Sequence, residues 1–422
     1  MIKYLLKILS DKTFSNFLWR SVQVLGKQGV IFIIFLLGAK YLSVYDFGIY
    51  NYLLSILLLV ILIGDFGISL TTSKYVVESD GSKNAIGKII FNSIFLSIIL
   101  SSFLVIFTLI FGQGFLEDKI VLIYFLIPSM VLAPLTSIYD GVFRGLKLFK
   151  KLSIITLVSG VFSVFISFFL IKEYGLTGAI IANNFYYLLL LVLMIPFIRM
   201  WRFDYDKKIF FNIFKYSFFV GLMSAGYFLF IRMDILFLGY YNLISDISYY
   251  EIVNKIFMLL VLPITLLGSV VAPDTTKAFQ EKNYQKIKSN LKNKLLILFL
   301  GGIFASFCVL GLANIFFHNS EKYNFNHLLI FLIPFLFLTP FKYVVHFLEQ
   351  GYLLPGGYAK KVSFATIFFG VLNVILNYIL FGRFGLYGIT ISTFFCLFLL
   401  NIFIIIFAIK QFFYSKNQSV KI

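Results

Sequence analysis

Long apolar runs alternate with short polar segments along almost the whole chain. A helix needs about 20 apolar residues to cross the hydrocarbon layer of a membrane, and twelve runs of this 422-residue sequence meet that requirement. We therefore predict twelve membrane-spanning helices. They lie at 17–39, 47–70, 89–111, 120–142, 152–172, 176–198, 213–239, 249–271, 293–315, 326–348, 361–381 and 385–409.

Composition agrees with this pattern. Hydrophobic residues make up 60% of the chain and charged residues 13%, whereas soluble globular proteins have about 45–50% and about 25%. A soluble protein of two or three domains is therefore excluded. The start of the chain lacks a small-residue cleavage signal after its first apolar run, so we expect uncleaved, multi-pass insertion.

The net charge of +18 follows from topology and does not indicate a nucleic-acid partner. If both termini are cytoplasmic, 26 of the 36 Lys and Arg residues fall on the cytoplasmic side and five on the outer side. Cytoplasmic connections of membrane proteins carry such an excess. We therefore predict that both termini are cytoplasmic. A location among the lipids of the bacterial cytoplasmic (inner) membrane follows from the family resemblance described below.

The two halves of the chain share a repeated pattern. FLIPSMVLAP at 125–134 resembles FLIPFLFLTP at 331–340, and 152–191 aligns with 362–401 without gaps, with thirteen of forty residues identical. Six spans return the chain to its starting side, so the halves have the same orientation. We predict an all-α protein of two six-helix bundles around a central cavity, with bundles at 1–200 and 213–422 and a cytoplasmic linker at 201–212.

Five basic residues remain inside predicted spans, where an ionisable group is costly and normally faces a cavity or a partner. They are Arg20, Lys27, Arg232, Lys255 and Lys342. Asn16, Arg20, Gln23 and Lys27 share one helical stripe, and Lys27 lies roughly 15 Å into its span. For Arg20 the alternative is snorkelling to the interface.

Some embedded charges could instead neutralise one another. Glu251 and Lys255 are spaced to pair on one helix, and Lys342, His346 and Glu349 could form a structural network. Arg232 and Asp234 project to different faces and each need a partner elsewhere.

The embedded basic residues outnumber the acids, so we expect a positive cavity whose guest is an anion such as a phosphate or diphosphate. Asp234 and Glu251 are candidate ion-coupling residues. Asp65 and Asp140, near cytoplasmic helix ends, are expected to cap and pair. Asn373 and Asn377 are expected to serve helix packing.

Residue patterns for catalysis are missing from the sequence. It has no Walker lysine loop, no Gly-x-Ser-x-Gly and no zinc-ligand spacing, while Cys308 and Cys396 stand alone in apolar runs. We predict a transporter with no catalytic residue, metal site or cofactor.

Residues 38–50, GAKYLSVYDFGIY, and 64–78, GDFGISLTTSKYVVE, resemble the opening of Wzx-type O-antigen and capsular polysaccharide flippases. These belong to the multidrug/oligosaccharidyl-lipid/polysaccharide exporter superfamily. The resemblance implies transport of an undecaprenyl-diphosphate-linked oligosaccharide to the outer leaflet, for lipopolysaccharide O-antigen or another surface polysaccharide, with other polysaccharide assembly proteins as further partners. It also implies that basic residues of the first, seventh and eighth spans bind substrate, here Arg20, Lys27, Arg232 and Lys255, and that H⁺ or Na⁺ could drive the cycle.

Other functions remain open at this level. A MATE-like cation or drug antiporter on the same fold would be expected to have an acidic cavity. A membrane polysaccharide polymerase or ligase would be expected to have a large outer loop, but the longest outer connection, near 316–325, has about ten residues. A purely structural subunit and a lipid II exporter are the further alternatives.

Overall fold

The computed structural model describes residues 12–79, 81–112, 119–197, 204–281, 283–292, 294–318 and 320–414. Arg199, Arg202 and the first residues of the predicted linker, 201–203, lie outside this part. The helices are α1 Lys12–Tyr41, α2 Val44–Asp65, α3 Ile68–Glu78, α4 Lys83–Phe111, α5 Ile120–Gly145, α6 Phe149–Met194, α7 Lys207–Ile231, α8 Met233–Tyr240, α9 Ile244–Gln280, α10 Tyr284–Lys292, α11 Lys294–Phe317, α12 Phe325–Leu348, α13 Ala359–Phe384 and α14 Leu386–Ile409.

The predicted all-α membrane fold is confirmed. Within the described residues, eleven helical stretches are long and apolar enough to span a membrane. One of them, Phe149–Phe197, covers two predicted spans, because the chain breaks from helical geometry at Gly175 inside α6. All twelve predicted spans therefore have a counterpart.

Polar residues just before several helices explain where those helices begin. The Ser43 hydroxyl accepts the backbone N–H of Asp46 at 3.0 Å, and Asn324 accepts that of His327 at 3.1 Å. Such caps satisfy N–H groups that the first helical turn leaves without partners. The cap residues thus fix the starts of α2 and α12.

By internal contacts the chain divides into two compact units, Met1–Ala225 and Gly226–Ile422. The boundary falls inside α7, later than the linker that the sequence pattern placed at 201–212. The first unit has a core around Ile86, Tyr139 and Phe143, and the second a core around Leu338, Tyr352 and Leu400.

The first part of α7 packs on the first unit. Asp206, just before α7, accepts the backbone N–H groups of Ile209 and Lys208, and its carboxylate lies 3.7 Å from Lys88 of α4. These contacts, led by the Ile209 N–H, hold the pKa of Asp206 below its ordinary value. The start of α7 is thereby anchored to α4.

The repeat seen in the sequence has matching backbone geometry. Gly175 has φ 53° and ψ −127°, and its counterpart Gly385 has φ 54° and ψ −133°. Glycine adopts positive φ without the steric cost that other residues incur. Both halves therefore break the chain in the same way between their fifth and sixth spans.

Close packing follows each break. A Cβ at Gly178 would lie 1.9 Å from the carbonyl oxygen of Leu170, and one at Gly388 would lie 2.3 Å from that of Leu380. These distances leave no room for a side chain, so the turn requires glycine at both positions.

The span predicted at 213–239 is interrupted. It consists of α7 and the short α8, which are separated at Arg232, whose φ is −127° and ψ −21°. The helical geometry is thus interrupted two residues before Asp234.

Candidate functional site

A cavity of about 260 Å³ lies in the first unit. Polar and charged side chains from one end of the helix bundle line it, contributed by α1, α2, α3, α5 and α6. They include Arg20, Gln23, Lys27, Gln28, Asp65, Ser69, Thr136, Ser137, Asp140, Arg144, Thr156 and Tyr186. Arg20 and Lys27, two of the residues predicted to bind substrate, therefore share one cavity.

Asp140 is the centre of a charged network in this cavity. Its Oδ2 lies 2.7 Å from Nε of Arg144, and its Oδ1 lies 3.4 Å from a guanidinium nitrogen of Arg20. The side-chain amide of Gln23 donates to the same Oδ1 at 2.8 Å, and Arg20 donates to the Gln23 carbonyl oxygen. One carboxylate thus joins α1 to α5.

Lys27 lies deeper in α1 and its side chain is exposed along the cavity wall. It makes no direct hydrogen bond or ion pair with any residue that the structure describes. A lysine ammonium offers three donors, so Lys27 is available to an anion in the cavity.

Asp65 and Arg144 meet at Ser69. The backbone N–H of Ser69 donates to Asp65 at 2.8 Å, and Arg144 donates to the Ser69 hydroxyl at 2.6 Å. The expected roles of Asp65 in capping and Asp140 in pairing are both present. Both carboxylates nevertheless line the cavity, which helix-end positions alone did not indicate.

In the second unit Arg232 pairs with Glu251, whose side chain is fully buried. The sequence spacing suggests Lys255 as a partner of Glu251, and the structure adds Arg232, at the break between α7 and α8, as an ion-pair partner of this carboxylate. Lys255, one turn along α9, is partly buried.

Asp234 is fully buried and is held by neutral groups. Thr393 donates to its Oδ2 at 2.6 Å and Asn377 to its Oδ1 at 2.7 Å. Asn373 donates to Oδ1 at 3.3 Å, and the Tyr250 hydroxyl donates to Oδ2. Asn373 and Asn377, which the sequence assigns to helix packing, thus donate hydrogen bonds to a buried carboxyl group.

Lys342 lines a separate cavity of about 280 Å³ in the second unit, whose walls are mostly apolar. His346 and Glu349 line it as well, and His346 Nδ1 lies 3.8 Å from Glu349 Oε2. The polar stripe predicted for this helix is therefore present, with its histidine beside its glutamate.

Sequence reasoning missed Arg144 as a cavity residue. Arg144 lies two residues beyond the predicted fourth span at 120–142, so it is one of the 26 basic residues assigned to the cytoplasmic side. The sequence shows that Arg144 is four residues from Asp140. Its hydrogen bond to Ser69, and the contact that Asp140 also makes with Arg20, depend on packing between helices.

Solved structures share this fold at low sequence identity. One is an inward-facing multidrug resistance MATE family transporter of the MOP superfamily. It is 17% identical, the match covers 93% of this chain and 98% of that transporter, and the TM-score is 0.70. Lipid II flippase MurJ in an inward closed conformation is 17% identical, with coverages of 93% and 87% and a TM-score of 0.76. A MOP superfamily transporter from Pyrococcus furiosus is 19% identical, with coverages of 94% and 95% and a TM-score of 0.59. These likenesses show the two-bundle fold.

No curated protein was found to match the chain by sequence. The family described as Polysaccharide biosynthesis protein matches residues 14–279, which is more than half of the chain and includes the whole charged cavity of the first unit. The chain belongs to this polysaccharide biosynthesis family, and its fold is shared by the MATE transporter and MurJ structures described above.

Proposed function

We propose that the protein is a flippase that moves an undecaprenyl-diphosphate-linked oligosaccharide across the bacterial cytoplasmic membrane by alternating access. It would serve the synthesis of O-antigen or another surface polysaccharide. One observation carries the proposal: in a chain of the polysaccharide biosynthesis family, one cavity among the predicted membrane-spanning helices gathers Arg20, Lys27 and Arg144.

The chemistry of the substrate fits this cavity. A diphosphate-linked sugar has an anionic, hydrophilic head that hydrocarbon does not dissolve, while its polyprenyl tail can remain in lipid. Guanidinium and ammonium groups bind phosphate oxygens by charge-assisted hydrogen bonds. Arg20 and Lys27 would bind the diphosphate, with Arg144 as a third contact. The likeness to lipid II flippase MurJ supports the same class of cargo.

A MATE-like cation or drug antiporter is the nearest rival, and the fold alone allows it. Three cations face two carboxylates in the first-unit cavity, and both carboxylates already accept hydrogen bonds from the protein, Asp65 from Ser69 and Asp140 from Gln23. A cationic drug would have to displace these contacts against a positive surplus. The cavity therefore favours an anionic substrate.

Arg232, Lys255 and Lys342 are proposed contacts of the same substrate in the second half. Arg232 is engaged by Glu251, so binding a diphosphate there requires that this pair open. Lys342, which makes no direct hydrogen bond or ion pair with the described residues, needs no such change.

Asp234 is the stronger of the two proposed coupling residues. Glu251 is neutralised by Arg232, whereas the four side chains that hydrogen-bond Asp234 are all neutral. A buried carboxylate without a cationic partner is costly unless it binds a proton or a cation. We propose that H⁺ or Na⁺ binds there during the cycle.

Deletion and complementation in the native host test the function. Deletion should abolish surface polysaccharide and cause lipid-linked repeat units to accumulate facing the cytoplasm, and the wild-type gene should restore export. Drug sensitivity with intact polysaccharide would instead favour the antiporter.

The Lys27→Ala variant tests the site in the same strain. Loss of one charge-assisted contact costs about 1.5 kcal/mol or more, so we expect export to fall roughly tenfold at limiting substrate. Lys40→Ala, which removes a charge at the other end of α1, should export normally. Normal export by an inserted Lys27→Ala protein would overturn the site. Arg232→Ala is a poorer test because it leaves Glu251 buried without its guanidinium partner.

A further inference from the structure

The carboxylate of Asp140 lies where a bound phosphate oxygen would be expected. It forms an ion pair with Arg144 and accepts hydrogen bonds from Arg20 and Gln23, and all three of these side chains line the first-unit cavity. A carboxylate and a phosphate both present pairs of anionic oxygens to a guanidinium group. The arginines of the cavity therefore already have an anionic partner, which is a carboxylate of the protein itself.

We propose that Asp140 is an internal counter-ion that competes with the substrate diphosphate for Arg20 and Arg144. The substrate displaces the carboxylate when it binds, and the carboxylate displaces the substrate when it leaves. This inference rests on the proposed function, since it adds how the same site is regulated.

The contacts of Asp140 differ in strength in a way that permits exchange. Arg144 is close, at 2.7 Å, while Arg20 is 3.4 Å away with a side chain 35% exposed. Arg20 can therefore turn to an incoming anion while Arg144 still holds Asp140. Gln23, which contacts both Arg20 and Asp140, can follow either group.

A transporter needs such a competitor because its site must release what it binds. Binding that is favourable enough to load cargo but too strong to release it stops transport. Without Asp140, the three cations of the cavity lining would be offset by a single lining carboxylate, Asp65, and would hold a diphosphate strongly. Asp140 lowers the net positive charge and supplies replacement contacts as the substrate departs.

Asp65 provides a matched comparison within the same cavity. It carries the same charge as Asp140, but its hydrogen bond is to the backbone N–H of Ser69 in its own chain segment. Asp65 thus adds negative charge to the cavity, but within the described part of the chain its carboxylate forms no direct ion pair with Arg20 or Arg144. Removing each charge separately distinguishes direct competition from a general electrostatic effect.

The test measures binding of inorganic pyrophosphate to the purified full-length protein in lipid nanodiscs by calorimetry. Asp140→Asn keeps the size of the side chain and removes its charge, so it should bind pyrophosphate roughly tenfold more tightly than wild type. Asp140→Glu should bind nearly as wild type does. Asp65→Asn should tighten binding by a smaller factor. In the deletion strain, Asp140→Asn should export less polysaccharide despite its tighter binding.

Several results would overturn the inference. Unchanged or weaker binding by Asp140→Asn, with a thermal midpoint like wild type, would mean that Asp140 only positions the arginines. Equal tightening in Asp65→Asn would leave a general charge effect. In either of these two cases, the proposed site still stands if wild type binds pyrophosphate and Lys27→Ala does not. If neither wild type nor any variant binds pyrophosphate saturably, both the site and the competition by Asp140 are rejected.

Discussion

At the residue scale, the carboxylate of Asp140 connects charged and amide side chains of α1 and α5. The stripe of Arg20, Gln23 and Lys27 follows from helical periodicity, and all three line one cavity. Asp140, the common partner of Arg20 and Gln23, lies about 120 positions away on another helix. Helical spacing gives no information on such a contact, so the arrangement of the site could not be predicted.

The same limit applies to the second half. Asp234 was recognised as a carboxylate in need of a partner, but its four donors come from α9, α13 and α14. Each of these helices supplies polar residues that look like ordinary packing groups in the sequence. The cluster exists only once the helices are assembled.

The proposed coupling role of Asp234 predicts the effect of Asp234→Asn. The variant keeps the side chain's size but cannot carry the charge that binds H⁺ or Na⁺. We expect export in the deletion strain to fall roughly tenfold, the scale of one lost charged contact, and to stop responding to imposed proton or sodium gradients. Gradient-driven export of lipid-linked oligosaccharide in membrane vesicles provides the measurement.

Asp246→Asn serves as the control, because Asp246 is also in the second half but pairs with His327 at the helix ends. It should keep its gradient response. An Asp234→Asn protein that responds to both gradients as wild type does would show that the coupling residue lies elsewhere.

At the element scale, helix positions were predictable because the bilayer fixes the length of an apolar helix. All twelve predicted spans have helical counterparts, but the breaks inside them were not predicted. The chain breaks at Arg232 without a glycine or proline at that position. Only packed structure, not residue type, identifies such a break.

The close approach after each glycine break predicts the cost of adding a methyl group there. Gly178→Ala and Gly388→Ala force a Cβ against a backbone carbonyl, and such overpacking costs about 1–3 kcal/mol. Each variant should lower the thermal midpoint in detergent, measured by fluorescence-detected size exclusion after heating.

Gly301→Ala is the matched control, because a Cβ at Gly301 meets no atom within 4 Å. It should leave the midpoint unchanged or raise it slightly, since alanine favours helix. Equal midpoints for Gly178→Ala and Gly301→Ala would mean that the turn has room that the structure does not show.

At the scale of the whole molecule, the distribution of lysine and arginine predicts the orientation. The connection between α3 and α4 would face the cytoplasm and that between α11 and α12 the outside. This orientation places the Arg20 and Asp140 end of the first-unit cavity towards the cytoplasm, where the lipid-linked substrate is made under the proposed function. It also gives a simple chemical test.

Cysteine labelling checks the orientation. In a Cys308→Ser, Cys396→Ala background, Ser320→Cys should react with a membrane-impermeant maleimide in intact cells, while Ser82→Cys should react only after the cells are opened. The reason is that each short connection lies on one side of the bilayer. Labelling of Ser82→Cys alone in intact cells would invert the proposed topology.

The matching glycine breaks in the two halves are surrounded by different polar residues. Around the second break, Asn373, Asn377 and Thr393 surround Asp234. In the register that pairs Gly175 with Gly385, their first-half counterparts are Ser163, Ser167 and Asn183. Asn183 donates to the Tyr50 hydroxyl and not to a carboxylate. The two halves thus share the backbone break but surround it with different polar residues, so exchanging those residues between the halves should move the carboxylate-binding contacts while leaving the break in place.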